Sequence, residues 1–252
     1  MRFKAAGIIP ARWGSTRFPG KPLHLIAGKP LLQHVWERCM RAKRLDAVIV
    51  ATDDMRIAEA AFEWGAEVAL TSRRHRSGTD RLAEVAGNAR EFTHLLNIQG
   101  DEPLVEPKLL DRIVGAFEED RALEMITAAH RFTDTADVAS PHQVKVVLDA
   151  NSNALYFSRS AIPFVRDSGT RATFLRHQGI YGYRRDLLLR FVEWKASPLE
   201  RAESLDQLRA LENGVRIHVL VTNTGSPGID TPEDAAALEQ ILARAGRKAR
   251  RQ

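Results

Sequence analysis

The run Ala5-Ala6-Gly7-Ile8-Ile9-Pro10-Ala11-Arg12-Trp13-Gly14-Ser15-Thr16-Arg17-Phe18-Pro19-Gly20-Lys21-Pro22 decides how this chain is organised. Its opening, Ala5–Ile9, is a short apolar run without polar alternation, as expected of a strand buried on both faces. A glycine- and arginine-bearing loop follows, and an amphipathic helical stretch then begins near Pro30 and runs to Ala42. The same order recurs downstream. Strand-like runs fall at Ala47–Ala51, Glu67–Leu70, His94–Ile98, Met125–Ala129 and Val144–Leu148, with helical periods at Met55–Trp64, Thr79–Asn88 and Pro107–Glu118. The alternation predicts an α/β fold with a mostly parallel central sheet, helices on both faces and short right-handed crossovers. Ligands of such sheets collect outside the carboxyl ends of the strands, where the loop after Ile9 lies.

That loop has the chemistry to hold a polyphosphate. Gly14 and Gly20 allow backbone amides to turn toward an anion. Arg12, Arg17 and Lys21 add three cations within ten positions, the arginines suited to bidentate grip and the lysine acting as a point charge. A Walker loop places four residues between its glycine and the Gly-Lys pair, then Ser or Thr. Here five intervene and Pro22 follows Lys21, so neither that motif nor a GxGxxG fingerprint is present. A solvated basic loop has the same composition; its position after a buried strand favours phosphate.

Composition narrows the class without naming a function. The chain has 252 residues, 44% of them hydrophobic and 27% charged, which suits one large α/β domain. No run of 18 apolar residues suggests a membrane span, and Pro10 and Arg12 interrupt the N-terminus too early for a signal peptide, so a cytoplasmic location is expected. The single Cys39 shares a helical face with Leu31, Leu32, Val35 and Trp36 and reads as a core thiol. The net charge of +5 suits an acidic substrate or RNA equally, and much of the excess sits in a tail (Arg244, Arg247, Lys248, Arg250, Arg251) that reads as a solvated helix end.

The rhythm changes at about 132–185, where helices thin out and short strand-like runs such as Ala154–Phe157 and Gly179–Tyr183 appear. This stretch is expected to be an insertion into a single domain spanning 1–252, serving substrate binding and subunit contact. A helical period returns at Ser204–Glu212, a strand follows at Arg216–Val221, and Pro232 begins a last helix with Thr231 as its N-cap.

Two acidic turns punctuate strand ends. Gln99-Gly100-Asp101-Glu102-Pro103 reads either as a β-turn or as a carboxylate placed to hold magnesium. Gly228-Ile229-Asp230-Thr231-Pro232-Glu233-Asp234 reads as a capped helix start that leaves only Asp230 unexplained. In Ala51-Thr52-Asp53-Asp54, Thr52 or Asp53 is expected to cap the following helix. Capping likewise accounts for Thr79 and Asp80 in His75-Arg76-Ser77-Gly78-Thr79-Asp80-Arg81.

Taken together, these stretches resemble the bacterial 3-deoxy-manno-octulosonate (Kdo) cytidylyltransferases. IIPARWGSTRFPGKPL is similar to the family's N-terminal signature, with Trp13 for the usual tyrosine and Phe18 for the usual leucine. HRSGTDR, QGDEP, FSRSAIP, RHQGIYGYR, SPLERAESLDQLR and GIDTPED match further family segments in the expected order, from about Gly7 to Asp234. The resemblance implies a Rossmann-like nucleotidyltransferase fold and transfer of CMP from CTP to Kdo, with Mg2+ as cofactor and a homodimeric assembly. It assigns the nucleotide to Arg12, Ser15, Arg17, Lys21, Ser77, Gly78, Arg81 and Gln99, and the metal to Asp101 and Asp230. Arg12, Lys21, Asp101 and Asp230 would carry the catalysis. The sugar would meet Gln99, Arg166, His177, Tyr181, Glu203 and Gln207. On one helix, Glu200, Glu203 and Gln207 would share a side. Asp206 stands where the family has glutamate, which leaves an 8-amino analogue of Kdo in play as acceptor. Rival readings are activation of a sialic-type acid, against which RHQGIYGYR and SPLE argue, and a non-catalytic nucleotide- or RNA-binding protein.

Overall fold

The computed structural model describes residues 2–14, 18–75, 77–133, 136–167, 169 and 171–249. The first strand, β1 (Ala5–Ala11), is buried along nearly its whole length because it lies mid-sheet between two parallel neighbours. A two-residue hairpin, β2 (Leu25–Ile26) and β3 (Lys29–Pro30), leads into α1 (Leu31–Cys39). Then come β4 (Ala47–Thr52), α2 (Met55–Glu63), β5 (Glu67–Leu70), α3 (Gly78–Asn88), β6 (His94–Asn97), α4 (Pro107–Glu119) and β7 (Met125–Arg131). The chain continues through β8 (Lys145–Leu148), β9 (Ala154–Ser158), β10 (Leu175–Arg184), α5 (Arg185–Glu193), α6 (Pro198–Glu203), α7 (Gln207–Glu212), β11 (Ile217–Thr222) and α8 (Pro232–Ala249).

The main sheet runs β11-β7-β10-β6-β1-β4-β5. Pairings β6–β1, β1–β4, β4–β5 and β11–β7 are parallel, and β10 is antiparallel to both its neighbours. The expected α/β architecture is therefore present. The 132–185 stretch supplies β8, β9 and β10, and β10 wedges into the middle of the sheet. The register of β10 against β7 shifts between Gln178 and Tyr181. Such irregularities re-aim side chains next to sites.

Two apolar layers hold the sheet. Ile8, Leu95 and Tyr183 pack toward Leu82 of α3, Leu188 and Phe191 of α5 and Leu208 of α7. On the other face Ile9, Leu96 and Ile126 meet Val35 of α1, Ile57 of α2 and Ile113 and Phe117 of α4. Cys39 belongs to this second layer, where burial pushes its thiol up to about 12, so the core reading of this residue holds. A third, smaller cluster joins Phe18, Ile26, Leu31, Ile229, Ala235 and Leu238. It ties the loop after β1 to the segment before α8, so it fixes the relative position of two sequence-distant loops.

Two local readings need correction. The period across 197–212 is broken: α6 ends at Ser204, whose φ of 52° leaves the right-handed helix, and α7 restarts at Gln207. Glu200, Glu203 and Gln207 therefore do not line one helical side. Glu200 instead pairs with Arg209 through two contacts of 2.6 and 2.8 Å. The cap of α2 is Asp54, which accepts from Arg56 N at 3.0 Å, rather than Thr52 or Asp53. α5 is a helix that the sequence reading did not anticipate.

Candidate active site

The loops after β1 and β6, the start of α3 and the segment before α8 enclose a cavity of about 290 Å³ at the carboxyl edge of the parallel strands. Pro10, Ala11, Arg12, Lys21, His75, Ser77, Gly78, Arg81, Gln99, Gly100, Asp101 and Asp230 line it. All twelve come from four motifs quoted above, which the fold gathers into one place.

Lys21 anchors one side. Its Nζ donates to Asp101 Oδ2 at 2.6 Å, to the Ile229 carbonyl at 2.9 Å and to Asp230 Oδ1 at 3.3 Å. The Lys21 side chain is 16% exposed, so it is screened from bulk water on most sides, and it lines the cavity. Gly20 makes the approach possible: its φ of 72° is a left-handed turn, and its amide donates to the Trp13 carbonyl at 3.3 Å. Trp13 is in turn covered by the Arg56 guanidinium, 3.5 Å from the ring centroid, a cation–π stack. Phe18 and Ile229 on either side belong to the third apolar cluster, which explains why Lys21 and Asp230 meet.

Arg81 forms the opposite side. It is 4% exposed, and its Nη2 donates to Asp53 Oδ1 at 3.0 Å while Nη1 bonds Thr71 Oγ1. Asp53, expected as a helix cap, is thus the counter-ion of a buried arginine. Ser77 and Asp80 form a capping box at the start of α3, with the Ser77 hydroxyl accepting from Asp80 N at 3.0 Å. The α3 N-terminus faces the cavity with its favourable dipole end. His75, for which the sequence reading offered no role, lines the wall and pairs through Nε2 with Glu84, which also accepts from Ser72 N at 2.8 Å. Glu84 is held below the usual carboxylate range, first by that amide and then by His75. Arg12 stands exposed at the rim. Ser15 and Arg17 lie outside the described residues.

Of the residues expected at the sugar, only Gln99 lines the cavity; its Nε2 donates to the Gly179 carbonyl of β10 at 2.8 Å. His177 and Tyr181 lie inward on β10, ring centroids 5.2 Å apart. His177 Nε2 is 3.0 Å from Thr127 Oγ1, a hydroxyl that also lies 2.7 Å from the Ile180 carbonyl. Burial lowers His177 to about 3 and raises the Tyr181 phenol. Glu203 accepts from Ser158 Oγ at 2.6 Å and Arg159 N at 2.9 Å, bracing β9 against α6. Gln207 is buried in the first turn of α7. Arg166 is exposed on the irregular stretch before β10 and is not brought into the cavity lining. Asp206 is half-buried, its pKa raised first by desolvation, and it accepts from Thr79 Oγ1 at 3.0 Å.

The donor set tests whether a divalent ion fits. Asp101 and Asp230 both reach one cation, the Lys21 ammonium, so two carboxylates converge on a shared positive charge. Among the described residues no third His, Cys, Asp or Glu completes a metal cluster. Two carboxylates with the remaining ligands drawn from phosphate and water is the habit of magnesium, and the residues fit it. Beside them, burial and then Asp101 raise the Glu102 carboxyl to about 8.

A parallel α/β sheet with a cationic, acid-paired cavity at its carboxyl edge defines a nucleotide-handling fold of the nucleotidyltransferase class. Residues 6–217 match the family described as cytidylyltransferase. A 3-deoxy-manno-octulosonate cytidylyltransferase of Geobacter sulfurreducens is 49% identical over 245 residues, covering 93% of this chain and 96% of the relative. One of Fusobacterium nucleatum is 44% identical over 239 residues, covering 95% and 96%. Among solved structures, CMP:2-keto-3-deoxy-manno-octonic acid synthetase complexed with CTP superposes with a TM-score of 0.93 at 41% identity, covering 96% of this chain and 99% of that one. A cytidylyltransferase from Leptospira borgpetersenii, 19% identical with a TM-score of 0.66 over 96% of this chain and 88% of that one, shares the fold. This chain belongs to the cytidylyltransferase family, among the 3-deoxy-manno-octulosonate cytidylyltransferases.

Proposed function

We infer that this chain transfers CMP from CTP to Kdo, giving CMP-Kdo and pyrophosphate for lipopolysaccharide synthesis. Family membership supports the reaction; the observation that carries its mechanism is the meeting of Lys21, Asp101 and Asp230 in the cavity that also holds Arg12, Arg81 and the start of α3. The anomeric oxygen of the sugar bonds the α-phosphorus as the bond to the β-phosphate oxygen breaks. The electron pair leaves with pyrophosphate and the hydroxyl proton passes to solvent. Lys21 and Arg12 neutralise the charge that develops on the leaving group, and Arg81 and the α3 N-terminus orient the nucleotide. Asp101 and Asp230 would hold a magnesium ion, which when bound supplies Lewis acidity and charge neutralisation. The ammonium of Lys21, seated between those carboxylates, keeps them from repelling one another before substrate arrives.

Two further features accompany this reading. A homodimer is supported by Leu155 and Phe164, 62% and 87% exposed on the 132–185 stretch. A cytoplasmic location is consistent with the absence, among the described residues, of any helix long and apolar enough to cross a membrane. The alternative acceptor is the 8-amino analogue of Kdo, left in play because Asp206 stands where the family has glutamate, although Asp206 bonds Thr79 and does not line the cavity. The experiment is to incubate the protein with CTP, magnesium and, separately, Kdo, 8-amino-Kdo and sialic acid, and to identify products by mass. CMP-Kdo formed with the highest kcat/KM supports the reading. Preference for another acid, or no product with Kdo, overturns it.

A further inference from the structure

The chain enters the loop after β1 at Arg12 and leaves it at Lys21, and both residues line the cavity. Trp13 and Gly20, the neighbours of those two cations, touch each other. The Gly20 amide donates to the Trp13 carbonyl at 3.3 Å, and a Cβ built on Gly20 would come within 3.1 Å of Trp13 Cζ2. Position 20 is thus closed to a side chain twice over, by the indole and by its φ of 72°. The indole also packs against the second apolar layer, so it joins the loop to the body of the protein.

Arg56 holds that indole from α2, its guanidinium carbon 3.5 Å from the ring centroid. The guanidinium is itself set in place by Asp54, the N-cap of α2, which accepts from Arg56 Nε at 2.9 Å and from Nη2 at 2.6 Å. This two-point pairing fixes the guanidinium plane and leaves its flat side for the ring. The arginine side chain is 56% exposed, and an ion pair at such a site contributes little to folding. Cation–aromatic attraction, in contrast, persists at exposed sites. α2 also packs beside the turn Lys21–Leu23, so Arg56 and Lys21 stand on neighbouring elements. The contacts form one series, Asp54 to Arg56 to Trp13 to Gly20, and it ends on the residue before Lys21.

We propose that Arg56 and Trp13 are positioning residues, whose stack holds the indole against Gly20 and thereby sets where Lys21 meets the terminal phosphates of CTP. The assignment rests on the nucleotide reading given above. Arg56 acts through Trp13 and Gly20 and does not itself touch the substrate. A small displacement of Lys21 is enough to weaken its grip on a phosphate, since a point charge acts over short range at a site still partly wet.

The test compares the full chain with Arg56→Met, Trp13→Leu and Trp13→Tyr. The Kd for CTP is measured by calorimetry with magnesium present, and the KM for Kdo at saturating CTP. Arg56→Met keeps length without charge, Trp13→Leu keeps apolar bulk without a ring, and Trp13→Tyr keeps a ring. The Kd for CTP should rise about fivefold in Arg56→Met and Trp13→Leu and stay within about twofold in Trp13→Tyr, while the KM for Kdo stays within about twofold throughout. A Kd for CTP within twofold of the parent in Arg56→Met overturns the proposal. Trp13→Tyr binding CTP as weakly as Trp13→Leu also overturns it, because the shape of the indole and not the stack would then matter. Equal losses toward CTP and Kdo overturn it as general damage to the fold. Should Trp13→Leu fail to fold, the exposed Arg56→Met still decides. A parent that binds no CTP overturns the nucleotide reading and this assignment together, whereas a parent that binds CTP and is matched by its variants overturns this assignment alone.

Discussion

Lys21 touches two carboxylates and a carbonyl, so replacing either acid has separable effects on fold and chemistry. Asp101→Asn leaves the ammonium its contacts to Asp230 and Ile229 and should change Tm little, while turnover falls about 100- to 1,000-fold, as when a transition-state charge partner is removed. A pyrophosphate-release assay beside a melting curve checks both; turnover within a few-fold of the parent would exclude a role in the reaction. The cation was legible in the sequence and the resemblance named both acids, but their direct contact with the ammonium was not: it is set by Phe18 and Ile229 packing together across more than two hundred positions. Asp53 and His75 were missed as site residues for a related reason. Short polar residues beside a helix start read as caps, and only the buried Arg81 and the nearby Glu84 show what they answer. His177 also makes a prediction about pH. Its folded value of about 3 lies below the ordinary 6.5, so the unfolded chain binds the extra proton between those limits. Stability from this group is complete above about pH 6.5 and declines as pH falls toward 3, by up to about 1.4 kcal/mol per pH unit. His177→Phe should flatten that acid limb in urea titrations; parallel curves for parent and variant would contradict it.

At the scale of elements, the strands were readable because buried parallel strands are apolar runs bounded by turns, and Glu67–Leu70 matches its expected bounds. α5 was not, because Arg185 follows β10 with no glycine or proline to separate the two patterns. The break at Ser204 also escaped notice: a serine gives no signal for a left-handed residue, and the turn is held by Glu203 bracing β9 and by Arg209 reaching back to Glu200. That Glu200–Arg209 pair is mostly buried, 13% exposed on each side. Arg209→Met strands the carboxylate and should cost about 3 kcal/mol, measured by urea unfolding; a loss below ~0.5 kcal/mol would mean that packing alone holds the turn. Ile229→Ala should lower stability by about 2–4 kcal/mol and raise the KM for CTP, since the same side chain positions Asp230 against Lys21. A stability loss with unaltered kinetics would show that the small cluster holds α8 without positioning the site.

For the whole molecule, the sheet edge concentrates function because β1, β4 and β6 are parallel and deliver their following loops to one end. The sequence order of motifs showed that end in outline, while the place of β10 in mid-sheet emerges only from its antiparallel pairing beside β6. The proposed dimer follows from apolar exposure on the 132–185 stretch. Light scattering should give twice the 28.2 kDa chain mass, and Phe164→Asp with Leu155→Asp should shift it toward the monomer; an unaltered mass would place the interface elsewhere. The claim on which the rest depends is that a loop after the first strand and two remote acids bind one triphosphate through one divalent ion. The most direct measurement is a crystal structure with CTP and manganese, located by anomalous scattering. The account predicts a manganese peak held by Asp101, Asp230 and triphosphate oxygens, with the nucleotide between Lys21 and Arg81. A peak remote from either aspartate, or a nucleotide bound outside this cavity, would contradict it.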